Sequence, residues 1–168
     1  MSRLRVLLGT TAIVAVGMLV GSLIPAASQE AGSALSTFKA CEYNAKGFDH
    51  EIDVDDDGEL SSGDYSVFEE NLYEPGSGDK IGRDLGTFTF IRPLGREDGV
   101  FHVTITFTFP EGRIATQGGA KFSNLGDGIN LPITGGTRGY RNARGEIQVQ
   151  EGRCNDKRAL KLRFEVEA

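Results

Sequence analysis

The chain has 168 residues, with 18 Lys plus Arg against 24 Asp plus Glu and a formal net charge of −6. That balance argues against a nucleic-acid partner, because phosphate recognition needs clustered cations. Two histidines and two cysteines offer neither a zinc-ligand spacing nor a Ser–His–Asp arrangement.

At the start, Arg3 and Arg5 precede an uncharged, mostly apolar run from Val6 to Ile24, and Pro25-Ala26-Ala27-Ser28 supplies small residues for a cut after Ser28. This is a secretory signal pattern over residues 1–28, and the protein is expected to be secreted. Left uncleaved, the same run is nearly long enough to anchor it in a membrane. Cleavage leaves 140 residues, a normal size for one domain, and removes two arginines, so the charge becomes −8. Residues 29–36 are small and polar and read as a flexible leader, which puts the folded domain at 37–168. Cys41 and Cys154 lie near the two ends of the mature chain. In an exported protein an even pair reads as a disulfide, the alternative being two separate buried thiols. A bridge would make the first and last strands neighbours, as a closed barrel requires.

Asp53 to Asp64 has the register of a calcium loop. Carboxylates fall at positions one, three and five (Asp53, Asp55, Asp57), glycine at six (Gly58), Ser61 at nine and Asp64 at twelve, with Glu59 placed to offer its carbonyl. The alternative is a solvated acidic turn whose carboxylates repel one another. Gly63 to Tyr73 follows, where Tyr65, Phe68 and Leu72 have helical spacing and predict an exiting helix.

From there on the pattern is strands. Leu85 to Ile91 alternates. Phe101 to Phe109 is the clearest period-two segment, with Phe101, Val103, Ile105, Phe107 and Phe109 on one face and His102, Thr104, Thr106 and Thr108 on the other. Further strands are expected over 113–122, 128–134, 143–150 and 159–166. Turn signals stand at Gly95–Gly99, Pro110–Gly112 and Asn155–Lys157. Many short strands with regular turns, and 23 glycines, indicate an all-β sandwich or barrel.

The stretch Leu131 to Ile147 is punctuated by Gly135, Gly136, Gly139 and Gly145. It resembles the GGTG-x-(Phe/Tyr)-x-x-A-x-G hallmark of the allene oxide cyclase and dirigent protein superfamily. Glu51-Ile52-Asp53 followed by Gly58 resembles the family's Glu-Leu-Asn strand and glycine. Gly63 to Tyr73 resembles its GDLVPF-x-N-x-LY segment, and Lys80-Ile81-Gly82 its Arg-Ile-Gly. The resemblance implies an eight-stranded antiparallel up-and-down β-barrel with a central apolar cavity. It implies a cavity protein that isomerises or cyclises, or steers the coupling of, a small apolar or phenolic molecule. In such barrels a strand-one carboxylate biases the reaction, which maps to Glu51, and Phe68 and Phe88 map to pocket positions. Arg144 matches a pocket arginine of dirigent-type barrels. Phe101, on the inward face of its strand, is a third expected pocket residue. Family members are often dimers or trimers. No cofactor is required on this reading, and calcium enters only through Asp53 to Asp64. The chain departs from the plant cyclases where Asp53 and Glu70 stand for asparagines and Phe88 for a cysteine. A non-catalytic extracellular carrier and a calcium-stabilised binding module are therefore the alternative functions.

Overall fold

A computed structural model describes residues 35–43, 48–92 and 99–167. The expected signal peptide, the cut after Ser28 and most of the leader lie outside these residues. Leu35 and Ser36, assigned from the sequence to the leader, open the first strand and pair with Glu167 and Val166.

In chain order the described strands are β1 (Leu35–Glu42), β2 (Phe48–Ile52), β3 (Tyr65–Tyr73), β4 (Lys80–Arg92), β5 (Val100–Phe109), β6 (Gly112–Lys121), β7 (Ile129–Arg138), β8 (Arg144–Cys154) and β9 (Lys157–Glu167). All pairings are antiparallel. The order β1-β9-β8-β7-β6-β5-β4-β3 closes where β3 meets β1 again, and β2 continues the β1 position along β3. The fold is thus the expected closed eight-stranded barrel, with its first strand position broken in two.

Parity decides what faces inward. On β5 the buried Phe101, Val103, Ile105, Phe107 and Phe109 alternate with outward polar residues, as the sequence predicts. The helix expected over Gly63 to Tyr73 does not form. Tyr65 to Tyr73 is a strand paired with β4 from Tyr65–Thr89 to Tyr73–Lys80. Ser66, Phe68, Glu70 and Leu72 share its inner face, so the tertiary pairing overrides the helical spacing of Tyr65, Phe68 and Leu72. In the glycine-rich stretch, β7 turns into β8. Gly145 has φ +116° and lies against the Glu165 carbonyl, where any Cβ would collide.

One half of the lumen is packed solid. Phe38 stacks on Phe164 at 4.5 Å between ring centroids, and Phe109 meets both edge-on at 5.3 and 5.5 Å. Phe107 meets Phe164 at 5.0 Å, and Tyr140 caps the cluster 6.0 Å from Phe109. Such edge and stacked pairs add to the burial of each ring.

The closing seam is short. Among the described residues β1 and β3 meet through two pairs, Cys41–Tyr73 and Glu42–Leu72. On its outer side Cys41 and Cys154 form the expected disulfide, with Cα atoms 6.1 Å apart and a sequence separation of 113. Tyr43 stacks on Tyr73 at 4.4 Å, and the Lys157 ammonium sits 4.9 Å over the Tyr43 ring. The bridge thus ties the β8–β9 hairpin end to the seam. Replacing both cysteines by serine is expected to lower unfolding stability by about 5 kcal/mol in the loop-entropy limit. Urea denaturation of the oxidised native chain against the double variant measures it.

Candidate functional site

The other half of the barrel holds an open cavity of about 720 Å³. One wall is aromatic. Phe88 stacks on Phe101 at 4.4 Å, and Phe122, from the short 3-10 helix Phe122–Leu125 at the mouth, lies 4.8 Å from Phe101 and 5.3 Å from Phe88. Phe68, Ile105, Leu131 and Leu162 extend the apolar surface. The sequence-predicted pocket residues Phe68, Phe88 and Phe101 all line this cavity.

The opposite feature is acidic. Glu42 and Glu70 line the cavity, and Asp84 stands behind them, fully buried. Parity explains why. Glu42 follows Phe38 and Ala40 on the inner face of β1, Glu70 follows Phe68 on β3, and Asp84 precedes Gly86 and Phe88 on β4. Register puts Glu70 beside Asp84, whose Oδ1 accepts the Glu70 amide at 3.2 Å, and Glu42 beside Leu72. Glu70 Oε2 and Asp84 Oδ2 are buried without a hydrogen-bond partner.

Burial, reinforced by the Asp84 and Glu70 carboxylates, holds the Glu42 carboxyl well above its ordinary range. Burial also pushes Asp84 up to about 6, although Glu42 and the Glu70 amide pull the other way. Burial and then the charge of Asp84 raise Glu70 as well. Three neighbouring buried carboxyls cannot all ionise cheaply in one apolar site.

Residues 45–161 match the Allene oxide cyclase barrel like domain. The chain belongs to this family. No curated protein matches it. Among solved structures it is similar to a pyocyanin demethylase, with TM-score 0.61 and 22% identity over 78% of this chain and 99% of that one. It is similar to AbnU, an exo-specific intermolecular Diels-Alderase, with TM-score 0.57 and 16% identity over 80% of this chain and 99% of that one. It also resembles a pterocarpan synthase dirigent protein, with TM-score 0.61 and 14% identity over 79% of this chain and 88% of that one. At these identities the likeness establishes the shared barrel.

In this allene oxide cyclase-like barrel the other sequence-predicted residues are scattered. Glu51 lies on the inner face of β2, in phase with the cavity residue Asp49 and opposite Ser66, but it is exposed at the rim rather than in the cavity wall. Arg144 stands on the outer face of β8, because Ile147 and Val149 take the inward parity. Its guanidinium donates to the Ala143 carbonyl at 2.8 Å, so the expected pocket role is corrected.

The acidic loop is partly assembled. Carboxylate oxygens of Asp53, Asp55 and Asp57 lie within 4.8 Å of one another, all exposed. Asp53 accepts the Asp56 and Gly58 amides at 2.7 and 2.8 Å, and the bond from Gly58 chiefly holds its carboxyl below the ordinary value. Ser61 Oγ donates to Asp55 at 3.0 Å, while Glu59 donates its amide to Asp57 at 2.8 Å. Asp64 does not join this cluster. It is fully buried and accepts the Val54 and Ser61 amides at 2.8 and 2.6 Å, closing the loop on itself.

Sequence reasoning passed over Glu42 and Asp84. The available signal was phase: Asp84 is in step with Phe88 and Phe90, and Glu42 with Phe38, so each acid shares the face of an aromatic. The linkage sign follows from Asp84, whose folded value of about 6 stands above the ordinary 3.8. Its contribution to stability is fully present below pH 3.8 and is lost as pH rises through about 6, on the order of 3 kcal/mol. Asp84→Asn is therefore expected to raise the melting temperature at about pH 7.5 and to flatten its dependence between about pH 4 and 7. Calorimetric scans of both proteins across that range measure it.

Proposed function

We propose that the protein binds a small apolar or phenolic molecule in its cavity and steers an isomerisation or cyclisation there. The observation that carries this reading is the Glu42–Glu70–Asp84 cluster at the foot of an aromatic cavity. The aromatic wall of Phe68, Phe88, Phe101 and Phe122 excludes water and fixes the folding of a flexible ligand, which is the main requirement for ring closure. Glu42, held in its acid form, donates a hydrogen bond to a substrate oxygen as negative charge develops there. Glu70 remains available to an incipient cation or to accept the proton back. Glu51 at the rim is placed to meet a polar end of the ligand. The likeness to the Diels-Alderase AbnU and to a pterocarpan synthase dirigent protein supports a steering barrel. The disulfide suits an oxidising compartment, and export through the apolar N-terminal segment completes the proposal.

Glu42→Gln keeps size and polarity but removes the titrating proton. It is expected to lower turnover or product selectivity by on the order of 100-fold while leaving ligand affinity within a few-fold. The chain has no tryptophan, so Phe122→Trp provides a lone fluorophore at the cavity mouth that reads affinity separately. A Glu42→Gln variant that turns over a cyclising substrate at the native rate would remove Glu42 from the mechanism. A carrier role would show as tight binding with no product in either protein.

The clustered oxygens of Asp53, Asp55 and Asp57 favour one second reading, calcium as a stabiliser of the loop at the mouth. Calcium is expected to raise the melting temperature, and Asp57→Ala to abolish that rise. Absence of binding heat in calorimetry with the native chain would dismiss it.

A further inference from the structure

We infer that the outer wall formed by β1, β9 and β8 is a binding groove for an anionic polysaccharide. A second concavity of about 540 Å³ lies there, on the far side of the wall from the aromatic cavity. Its floor includes the Cys41–Cys154 disulfide. Among the described residues four cations line it, Lys39, Lys161, Arg163 and Arg153, and no carboxylate does. This concentration occurs in a chain whose net charge is −6.

The register makes the grouping costly unless something answers it. Lys39 stands directly across from Arg163, so two like charges face each other on neighbouring strands. Lys161 and Arg163 follow at two-residue spacing along β9, about 7 Å apart. Arg163 holds Glu165 at 2.7 Å, and Arg153 donates to the Asp156 carbonyl. Lys39 and Lys161 have no ion-pair partner among the described residues. Gly152 leaves the space across which the Lys161 stem lies, 2.7 Å from where a Cβ would stand. The lysine itself remains exposed.

The neutral groups indicate the kind of anion. Gln148 stands opposite Arg163 and Gln150 opposite Lys161, so two of the four cations face an amide side chain, and that of Gln150 donates to the Gly126 carbonyl at 3.0 Å. Asn155 closes one end, held by bonds to the Gly76 amide at 2.7 Å and the Glu74 carbonyl at 3.1 Å. Amides alternating with cations suit a chain of hydroxyls and regularly spaced carboxylates or sulfates. Among the described residues no aromatic side chain lines the groove to stack a base, which disfavours single-stranded nucleic acid. The disulfide beneath the groove suits an oxidising exterior, where such polymers occur.

Isothermal titration calorimetry with oligogalacturonate, dextran sulfate, neutral dextran and double-stranded DNA tests the assignment at low and at moderate salt. At least one of the two anionic saccharides is expected to bind, more weakly as salt rises, and neutral dextran is not. Lys39→Gln with Lys161→Gln is expected to weaken that binding about tenfold. The same double variant should melt no lower than the native chain, since like charges have been removed. Combined with the Phe122→Trp reporter, it should also read an unchanged affinity in the cavity. Binding of neither anionic saccharide at low salt, equal binding by the double variant, or DNA binding as tight as the saccharide would each overturn the proposal.

Discussion

The structure depends on how its barrel closes. Seven of the eight strand junctions are ladders of four or more residue pairs, whereas among the described residues β1 and β3 share only Cys41–Tyr73 and Glu42–Leu72, with β2 then taking over the β1 position along β3. A closed barrel removes exposed strand edges, so a weak last junction would forfeit that protection. Covalent and aromatic contacts reinforce the junction from outside, through the disulfide, the Tyr43–Tyr73 stack and the Lys157 ammonium. Leu72 seals it from inside. Glu42 is the one charged residue that belongs to the seam itself, and it opens into the cavity.

That coincidence explains why acids are tolerated in an apolar interior. Glu42, Glu70 and Asp84 each lose hydration on folding, and two of their oxygens recover no hydrogen bond. The packed half of the lumen, around Phe38, Phe107, Phe109 and Phe164, supplies the compensating burial. The two halves therefore do different work. One is filled and stabilises; the other is left empty and carries buried carboxyls that cost stability at neutral pH. A sequence optimised for stability alone would place leucine or asparagine at these positions.

The sequence shows most of the barrel because alternation is local. Phe101 to Phe109 and the glycine turn before Arg144 read correctly without knowledge of any partner strand. The even cysteine pair likewise points to the bridge that closes the seam. β3 misleads because Glu70 interrupts its inner apolar face, leaving Tyr65, Phe68 and Leu72 at a spacing a helix also produces. The acid cluster stays hidden for a related reason: a carboxylate beside a strand is ordinarily assigned to solvent, and only the pairing of Glu70 with Asp84 and of Glu42 with Leu72 brings the three together. Glu51 lies on the inward-facing side of its strand but one step nearer solvent than the wall. Arg144 shows the opposite error, a residue inside a recognisable motif whose parity turns it outward.

The asymmetry of the cavity follows from the same register. Phe88 and Phe101 pack as neighbours on β4 and β5, while Glu42 and Glu70 come from β1 and β3, so the aromatic and acidic surfaces occupy different sectors of one lumen. A planar ligand laid against the rings presents its edge, where oxygen or nitrogen substituents sit, to the carboxyls. On the proposed function, its orientation is set by the barrel before any proton moves. Ligand length is limited by the solid half beneath, because Ile105 and Leu162 mark the depth at which the cavity ends and the Phe107–Phe164 packing begins. On the proposed function, shape selection and proton chemistry are both consequences of one arrangement, a barrel filled at one end and closed along a seam that carries an acid.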